Sequence, residues 1–132
     1  IGIDRELIIV DPYFFAETTD LKVYICLISE VIGDFIDRLE HLVIVTNPDK
    51  DDAKTKTAVL NWIARSGSKI VVKHAHSKDW HDRFWLSASR QKGILMGTSL
   101  NGLGKKYALV DVLEDTDVKE IVQHLVSSQV VQ

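Results

Sequence analysis

The sequence predicts an α/β fold in which helices flank a mixed, partly parallel sheet. Short apolar runs that end in Asp-Pro or Asn-Pro alternate with longer segments whose apolar residues recur every three to four positions. This order is typical of strand–helix–strand units with parallel strands. The second half carries further short apolar runs joined by turn-forming residues, which is typical of antiparallel hairpins. We expect one domain over residues 1–132, excised from a longer protein, because the chain lacks an initiator methionine.

The first strand and the first helix are marked by their ends. Residues 7–10 (LIIV) form an apolar run that Asp11-Pro12 stops, as in a buried strand. Asp20 is a candidate N-cap for a helix that runs to about Leu39. Its expected inward face consists of Val23, Leu27, Val31, Phe35 and Leu39, with Ile28, Ile32 and Ile36 beside them. So wide an apolar face predicts a helix packed on the sheet.

The second strand and the second helix repeat this arrangement. Residues 41–46 (HLVIVT) form an apolar run that Asn47-Pro48 ends, so they predict a second buried strand. Asp51 or Asp52 is the expected start of the second helix, and Gly67 is its expected C-terminal stop. The residues expected to face inward are Ala58, Trp62 and Ile63.

The second half of the chain predicts four strands and a last helix. The predicted strands cover residues 69–74, 84–88, 93–96 and 107–112. Residues 89–92 join the second and third of these strands as a hairpin. Asp115 or Thr116 caps a last helix that runs through Leu125, because apolar residues recur there on one face.

Basic residues are concentrated in one segment of the chain. The segment from Arg65 to Lys106 contains nine basic residues and only two acidic ones, Asp79 and Asp82. Its net charge is therefore +7, while that of the rest of the chain is −10. Such an asymmetry predicts one electropositive face for an anionic ligand, and the nearby aromatic residues favour nucleic acid over acidic lipid. The alternative is that solvated lysines merely cluster in sequence.

Two polar motifs accompany the predicted hairpin. His81 and Arg83 are two positions apart at the start of a strand and therefore share a face. Ser99 and Asn101 follow the partner strand. A histidine, a guanidinium, a hydroxyl and an amide that converge suit a phosphoryl group, since the planar arginine fork matches phosphate oxygens and histidine can attack phosphorus. The predicted site residues are His81, Arg83, Ser99 and Asn101, with Asp82 and Asp11 as candidates to support the histidine.

The spacing of these motifs resembles the phospholipase D superfamily. His81-x-Arg83, two strands and Thr98-Ser99-Leu100-Asn101 resemble the family's H-x-K-x4-D and G-S-x-N signatures, and Asp11-Pro12-Tyr13-Phe14 resembles its P-Y-F strand end. The resemblance implies a phospholipase D-like lobe with His81 in the nucleophile position, Arg83 in the lysine position, and Ser99 and Asn101 in phosphate-contacting positions. The H-D-R triplet is also similar to the phospholipase D-like C-terminal domain of MIT-domain proteins, where it accompanies membrane binding.

Three positions depart from the family pattern. Arg83 replaces lysine, Ala88 stands where the family has aspartate, and Thr98 stands where it has glycine. Active members bring two motif copies to one site, whereas this chain carries one. The resemblance therefore implies a catalytically degenerate lobe that binds phosphate and needs no cofactor. Two alternatives stay open: a phosphodiesterase or nuclease assembled by a homodimer from two copies of His81, and a structural interaction domain with a vestigial site that contacts other domains of a longer chain.

A zinc site and the single cysteine complete the predictions. His74-Ala75-His76 places two imidazoles on one strand face, and His81 would give a third zinc ligand. Such a pair is more often incidental, so the sequence predicts no metal. Cys26 has no disulfide partner and lies in an apolar, helix-like stretch, which predicts a buried thiol and a reducing, cytoplasmic compartment.

Overall fold

The computed structural model describes residues 5–33, 36–66, 69–80, 83–87, 92–96, 110–113 and 115–127. Its strands are Glu6–Val10 (β1), His41–Thr46 (β2), Val71–His76 (β3), Arg83–Ser87 (β4), Lys92–Met96 (β5) and Val110–Val112 (β6). Its α-helices are Leu21–Ile32 (α1), Ala53–Ser66 (α2) and Asp115–Ser127 (α3), and short 3-10 helices cover Ile36–Arg38 and Pro48–Lys50. Within these residues the predicted α/β fold and the predicted order of elements are confirmed.

The six described strands form one mixed sheet in the order β3-β2-β1-β4-β5-β6. β1, β2 and β3 are parallel to one another, since α1 and α2 supply the crossovers that parallel pairing needs. β4 runs antiparallel to β1, and β5 and β6 continue the antiparallel pairing. The carboxyl ends of β1 to β3 and the amino end of β4 therefore lie along one edge of the sheet, which we call the carboxyl edge.

Apolar side chains cover both faces of the sheet. The face under α1 and α2 contains Leu7, Ile9, Leu42, Ile44 and Trp85. The opposite face, under α3, contains Ile8, Val10, Val43, Val45, Phe84 and Leu86, which pack against Val118 and Leu125. Because successive strand residues point to opposite faces, each strand contributes to both layers.

The first helix is shorter than the sequence predicts. It ends at Ile32 instead of Leu39, because Gly33 follows and glycine is about 1 kcal/mol less favourable than alanine in a helix. The 3-10 helix Ile36–Arg38 then carries Ile36 to the core. The prediction of a continuous helix to Leu39 was therefore wrong. Ile36 and Leu39 are both buried in the core, although neither belongs to α1.

The buried face of α1 also differs from the prediction by one position. Tyr24, Ile28 and Ile32 are buried, whereas Val23 is 55% exposed. The Tyr24 hydroxyl donates a hydrogen bond to the carbonyl of Phe14, which helps to direct this face inward. Burial raises the pKa of Tyr24 well above its usual value, with a further contribution from the charge of Asp11.

Other elements depart from the prediction by small shifts at their ends. β2 has the predicted bounds, while β3 begins and ends two residues later than predicted and thereby includes His76. Cys26, expected to be buried, is exposed on α1, since the inward face of this helix lies elsewhere.

None of the helices in the described part of the chain combines the length and apolar character that a bilayer crossing requires.

Candidate functional site at the carboxyl edge

Polar side chains replace apolar ones where the strands reach the carboxyl edge. On the side of α1 and α2 they are Asp11, Thr46, His74, His76 and Arg83. They share this side because alternate residues of a strand point to the same face. The set spans four neighbouring strands, β3, β2, β1 and β4. Open α/β sheets bind ligands beyond the carboxyl ends of their parallel strands, so we call these five residues the polar row and treat it as the candidate site.

Arg83 is the predicted site residue with the clearest anion-binding features. It begins β4, and its Cζ lies 5.3 Å from the centroid of the Tyr13 ring. The Nζ of Lys50 lies 6.0 Å from the same centroid, so one aromatic ring attracts two cations. The Nε of Arg83 is buried and has no hydrogen-bond partner within the described part of the chain. This donor is the unpaired group that an anion would satisfy.

Asp11 fixes the turn that presents Tyr13. It is fully buried, and one carboxylate oxygen accepts a hydrogen bond of 2.9 Å from the Tyr13 backbone N–H. Such a bond closes an Asx-turn directly after β1. The pairing of Val10 with Phe84 places Asp11 opposite Arg83, one residue further along. The carboxylate thus anchors the ring against which the guanidinium packs.

Four predicted site residues lie outside the described residues: His81, Asp82, Ser99 and Asn101. Their convergence with Arg83 therefore stays a prediction, as does the support of His81 by Asp11. Of the predicted set, the structure brings Arg83 and Asp11 to the same edge of the sheet.

The basic segment divides between the two edges of the sheet. Arg65 lies near the end of α2 and Lys69 precedes β3, so both lie at the amino edge. Lys78 and Arg83 lie at the carboxyl edge, where Lys78 is engaged with Asp49 at 3.1 Å. The described part of this segment thus does not form one continuous face. Among the described residues, Arg83 and Lys50 are the cations beside the Tyr13 ring, and Lys56 acts on His74.

A second polar group in this region involves a residue that the sequence analysis did not select. The Oδ2 of Asp51 lies 3.1 Å from the Nε2 of His76 and 3.5 Å from the Nε2 of His74. The Thr46 hydroxyl donates to the same Oδ2 at 2.9 Å and lies 2.7 Å from the Nε2 of His74. We call Asp51, His74 and His76 the imidazole cluster.

The two histidines of the cluster differ in their surroundings. The side chain of His74 is 10% exposed and meets the Phe15 ring edge to face at 4.8 Å between centroids, whereas the His76 side chain is 50% exposed. Burial, and then the positive charge of Lys56, lower the pKa of His74 to about 4, although the charge of Asp51 acts in the opposite direction. At neutral pH His74 is therefore uncharged, and one of its ring nitrogens has a free lone pair.

Asp51 was missed because it stands beside another aspartate. Both Asp51 and Asp52 are suitable N-caps for α2, and the sequence pattern does not separate them. In the structure Asp52 is the cap, since its Oδ2 accepts from the backbone N–H and the hydroxyl of Thr55. Only one of two adjacent aspartates can cap a helix. The pair Asp51-Asp52 could therefore have indicated that one carboxylate is available for another contact.

Comparison with protein-family models gives no match for this chain, and comparison with curated proteins gives no similar protein. The function is therefore inferred from the described residues of the carboxyl edge and from the sequence motifs.

Proposed function

We propose that the protein is a phospholipase D-like lobe whose carboxyl edge binds a phosphate-bearing ligand, with Arg83 as the principal contact. The supporting observation is the state of the Arg83 side chain: it packs on Tyr13 while its Nε is buried without a partner in the described part of the chain. Leaving a buried donor unsatisfied costs about 1–3 kcal/mol. A phosphate oxygen would satisfy that donor, because the guanidinium fork matches phosphate geometry.

Nucleic acid is the proposed ligand in preference to acidic lipid. Tyr13 is 37% exposed and has two cations near its ring at the carboxyl edge, so it offers its exposed part to a nucleobase while Arg83 and Lys50 contact the backbone. Stacking combined with phosphate contacts is how proteins bind single strands with little sequence preference. We place the protein in the reducing cytoplasm, where the exposed thiol of Cys26 stays unpaired.

Catalysis is not part of the proposed function. Arg83 occupies the lysine position of the family motif, and Ala88 supplies no carboxylate where the family has aspartate. A nucleophilic histidine needs a partner that holds its tautomer and a group that protonates the leaving oxygen. A lobe with one motif copy lacks the second histidine of this mechanism.

The test is binding of a fluorescent single-stranded oligonucleotide, followed by anisotropy over a series of salt concentrations. We expect Arg83→Ala to weaken binding about 10- to 100-fold, because a hydrogen bond to a charged group contributes about 1.5–3 kcal/mol. It should also reduce the salt dependence by about one phosphate contact. Arg65→Ala is the matched control, since Arg65 is an exposed arginine at the amino edge, and it should bind like the wild type.

The outcomes separate the alternatives. Equal losses in Arg83→Ala and Arg65→Ala would contradict a site at Arg83 and indicate diffuse electrostatic binding. Arg83-dependent binding to anionic vesicles, without binding to the oligonucleotide, would identify lipid as the ligand. Turnover of a generic phosphodiester that His81→Ala abolishes would identify the nuclease, and absence of any anion binding would favour the structural interaction domain.

A further inference from the structure

The imidazole cluster has the composition and spacing of a metal site. One ligand atom from each of Asp51, His74 and His76 can be chosen so that all lie within 4.8 Å of one another. The Oδ2 of Asp51 lies 3.5 Å and 3.1 Å from the two Nε2 atoms. Ligands of a tetrahedral zinc ion, each at about 2.0–2.1 Å, are separated by about 3.3 Å. The two separations from Asp51 therefore match those of ligands that share a cation.

The local electrostatics also suit a cation. The Oδ1 of Asp51 is buried and has no hydrogen-bond partner among the described residues, so this carboxylate retains an unused acceptor. The amine of Lys56 opposes a cation, while the carboxylate attracts one.

A hydroxyl–histidine–carboxylate triad explains the cluster less well. In a triad the carboxylate holds one ring nitrogen while the hydroxyl meets the other. Here the Thr46 hydroxyl and the Asp51 carboxylate both approach the same Nε2 of His74. A hydroxyl and a carboxylate that approach the same ring nitrogen do not form a proton relay, but they do converge on one point.

The supporting elements hold the three side chains in place. His74 and His76 share a face of β3, which is paired with β2 along its whole length. Asp51 stands between the 3-10 helix Pro48–Lys50 and α2, where the Asp52 cap fixes the chain. His74 also borders a half-open groove lined by apolar side chains, Leu60, Ile63 and Val72 among them. An apolar border of this kind limits the access of water to a metal.

We propose that Asp51, His74 and His76 bind a divalent first-row cation, for which Zn²⁺ is the best match. Two imidazoles and a carboxylate are ligands that zinc accepts, and three protein ligands leave a fourth position for water or another ligand. The side chain of His76 is half exposed, so solvent reaches the cluster on that side. The Thr46 hydroxyl, bonded to the carboxylate, acts as an outer group that orients the ligand.

The test is titration of chelator-treated protein with Zn²⁺ in competition with a chromogenic chelator. We expect the wild type to bind one equivalent of Zn²⁺. Asp51→Asn and His76→Gln each remove a ligand, so each should weaken Zn²⁺ affinity by more than roughly 100-fold, the upper end of what loss of an outer hydrogen-bonding partner causes. The matched controls are Asp49→Asn, an exposed acid two positions earlier, and His41→Gln, an exposed histidine at the amino edge. Both controls should bind like the wild type.

Two further measurements keep the proposal testable if one variant is unstable. Co²⁺ should give the visible ligand-field bands of four-coordinate cobalt with the wild type and lose them with His76→Gln, a substitution at a half-exposed position. Zn²⁺ should raise the melting temperature of the wild type and leave that of His76→Gln unchanged. Absence of stoichiometric binding by the folded wild type, or binding that survives both Asp51→Asn and His76→Gln, would overturn the proposal.

Discussion

At the scale of single residues, adjacent side chains of the same type serve different purposes. Asp52 caps α2 through Thr55, while Asp51 turns towards two histidines. Arg83 and Lys50 are distant in sequence but share the Tyr13 ring. Residue type and spacing identified Arg83 and Asp11 as candidate site residues. They could not predict that Arg83 and Lys50 both pack near the Tyr13 ring, because these contacts depend on how the loops meet after folding.

The division of labour between Asp51 and Asp52 predicts different effects of substitution. Asp52→Ala should lower the free energy of unfolding by about 1 kcal/mol, since two hydrogen bonds at the start of α2 are lost. Asp49→Ala, at an exposed neighbouring position, should change it by less than about 0.5 kcal/mol. Urea denaturation followed by circular dichroism measures both. An Asp52→Ala protein as stable as the wild type would show that the cap contributes nothing to the fold.

At the scale of elements, the regular pattern of apolar residues was sufficient to predict most strands and helices. β2 was predicted with its observed bounds, because an apolar run between polar ends has one natural interpretation. The end of α1 was not, because Ile36 and Leu39 keep the helical spacing although Gly33 ends the helix. Two of the three members of the imidazole cluster were visible as His74-Ala75-His76, but the third, Asp51, comes from a connection whose path only tertiary packing determines.

The pairing of β4 with β5 predicts a cost for side chains at Gly93. A Cβ at this buried position would lie 2.7 Å from a methyl group of Leu86 and 3.1 Å from the carbonyl oxygen of Trp85. We expect Gly93→Val to lower the free energy of unfolding by about 1–3 kcal/mol, because overpacking exceeds the gain in strand propensity. Lys73→Val, at an exposed position of β3, is the control and should be close to neutral. Thermal denaturation compares the two, and a stabilised Gly93→Val protein would contradict the crowding.

At the scale of the whole molecule, the sheet separates the candidate sites from one of the two apolar layers. The polar row lies on the side of α1 and α2, while α3 covers the opposite side through Val118 and Leu125. Stability is shared by both layers, whereas ligand contacts belong to one of them. Substitutions of buried residues in the layer under α3 should therefore lower stability more than they lower ligand affinity.

Leu125→Ala tests this separation. Leu125 is fully buried, so its truncation should lower the free energy of unfolding by about 2–5 kcal/mol. Oligonucleotide and Zn²⁺ affinities, measured at a temperature where the variant is folded, should stay within about twofold of wild type, since the polar row is on the other face of the sheet. Val126→Ala, at a position 48% exposed, should alter neither property. A loss of affinity in folded Leu125→Ala protein would show that the two layers are coupled.

The polar row has a consequence for the fidelity of folding. Side chains alternate with a period of two along a strand, so a slip of one residue in the pairing of β4 with β1 would turn Arg83 to the far face and direct Phe84 towards the fully buried carboxylate of Asp11. The same slip would move Phe84 and Leu86 into the layer under α1 and α2, and Arg83, Trp85 and Ser87 into the layer under α3. Correct register is therefore favoured by packing, and a mispaired chain would lose part of its core packing together with the ligand contacts of Arg83.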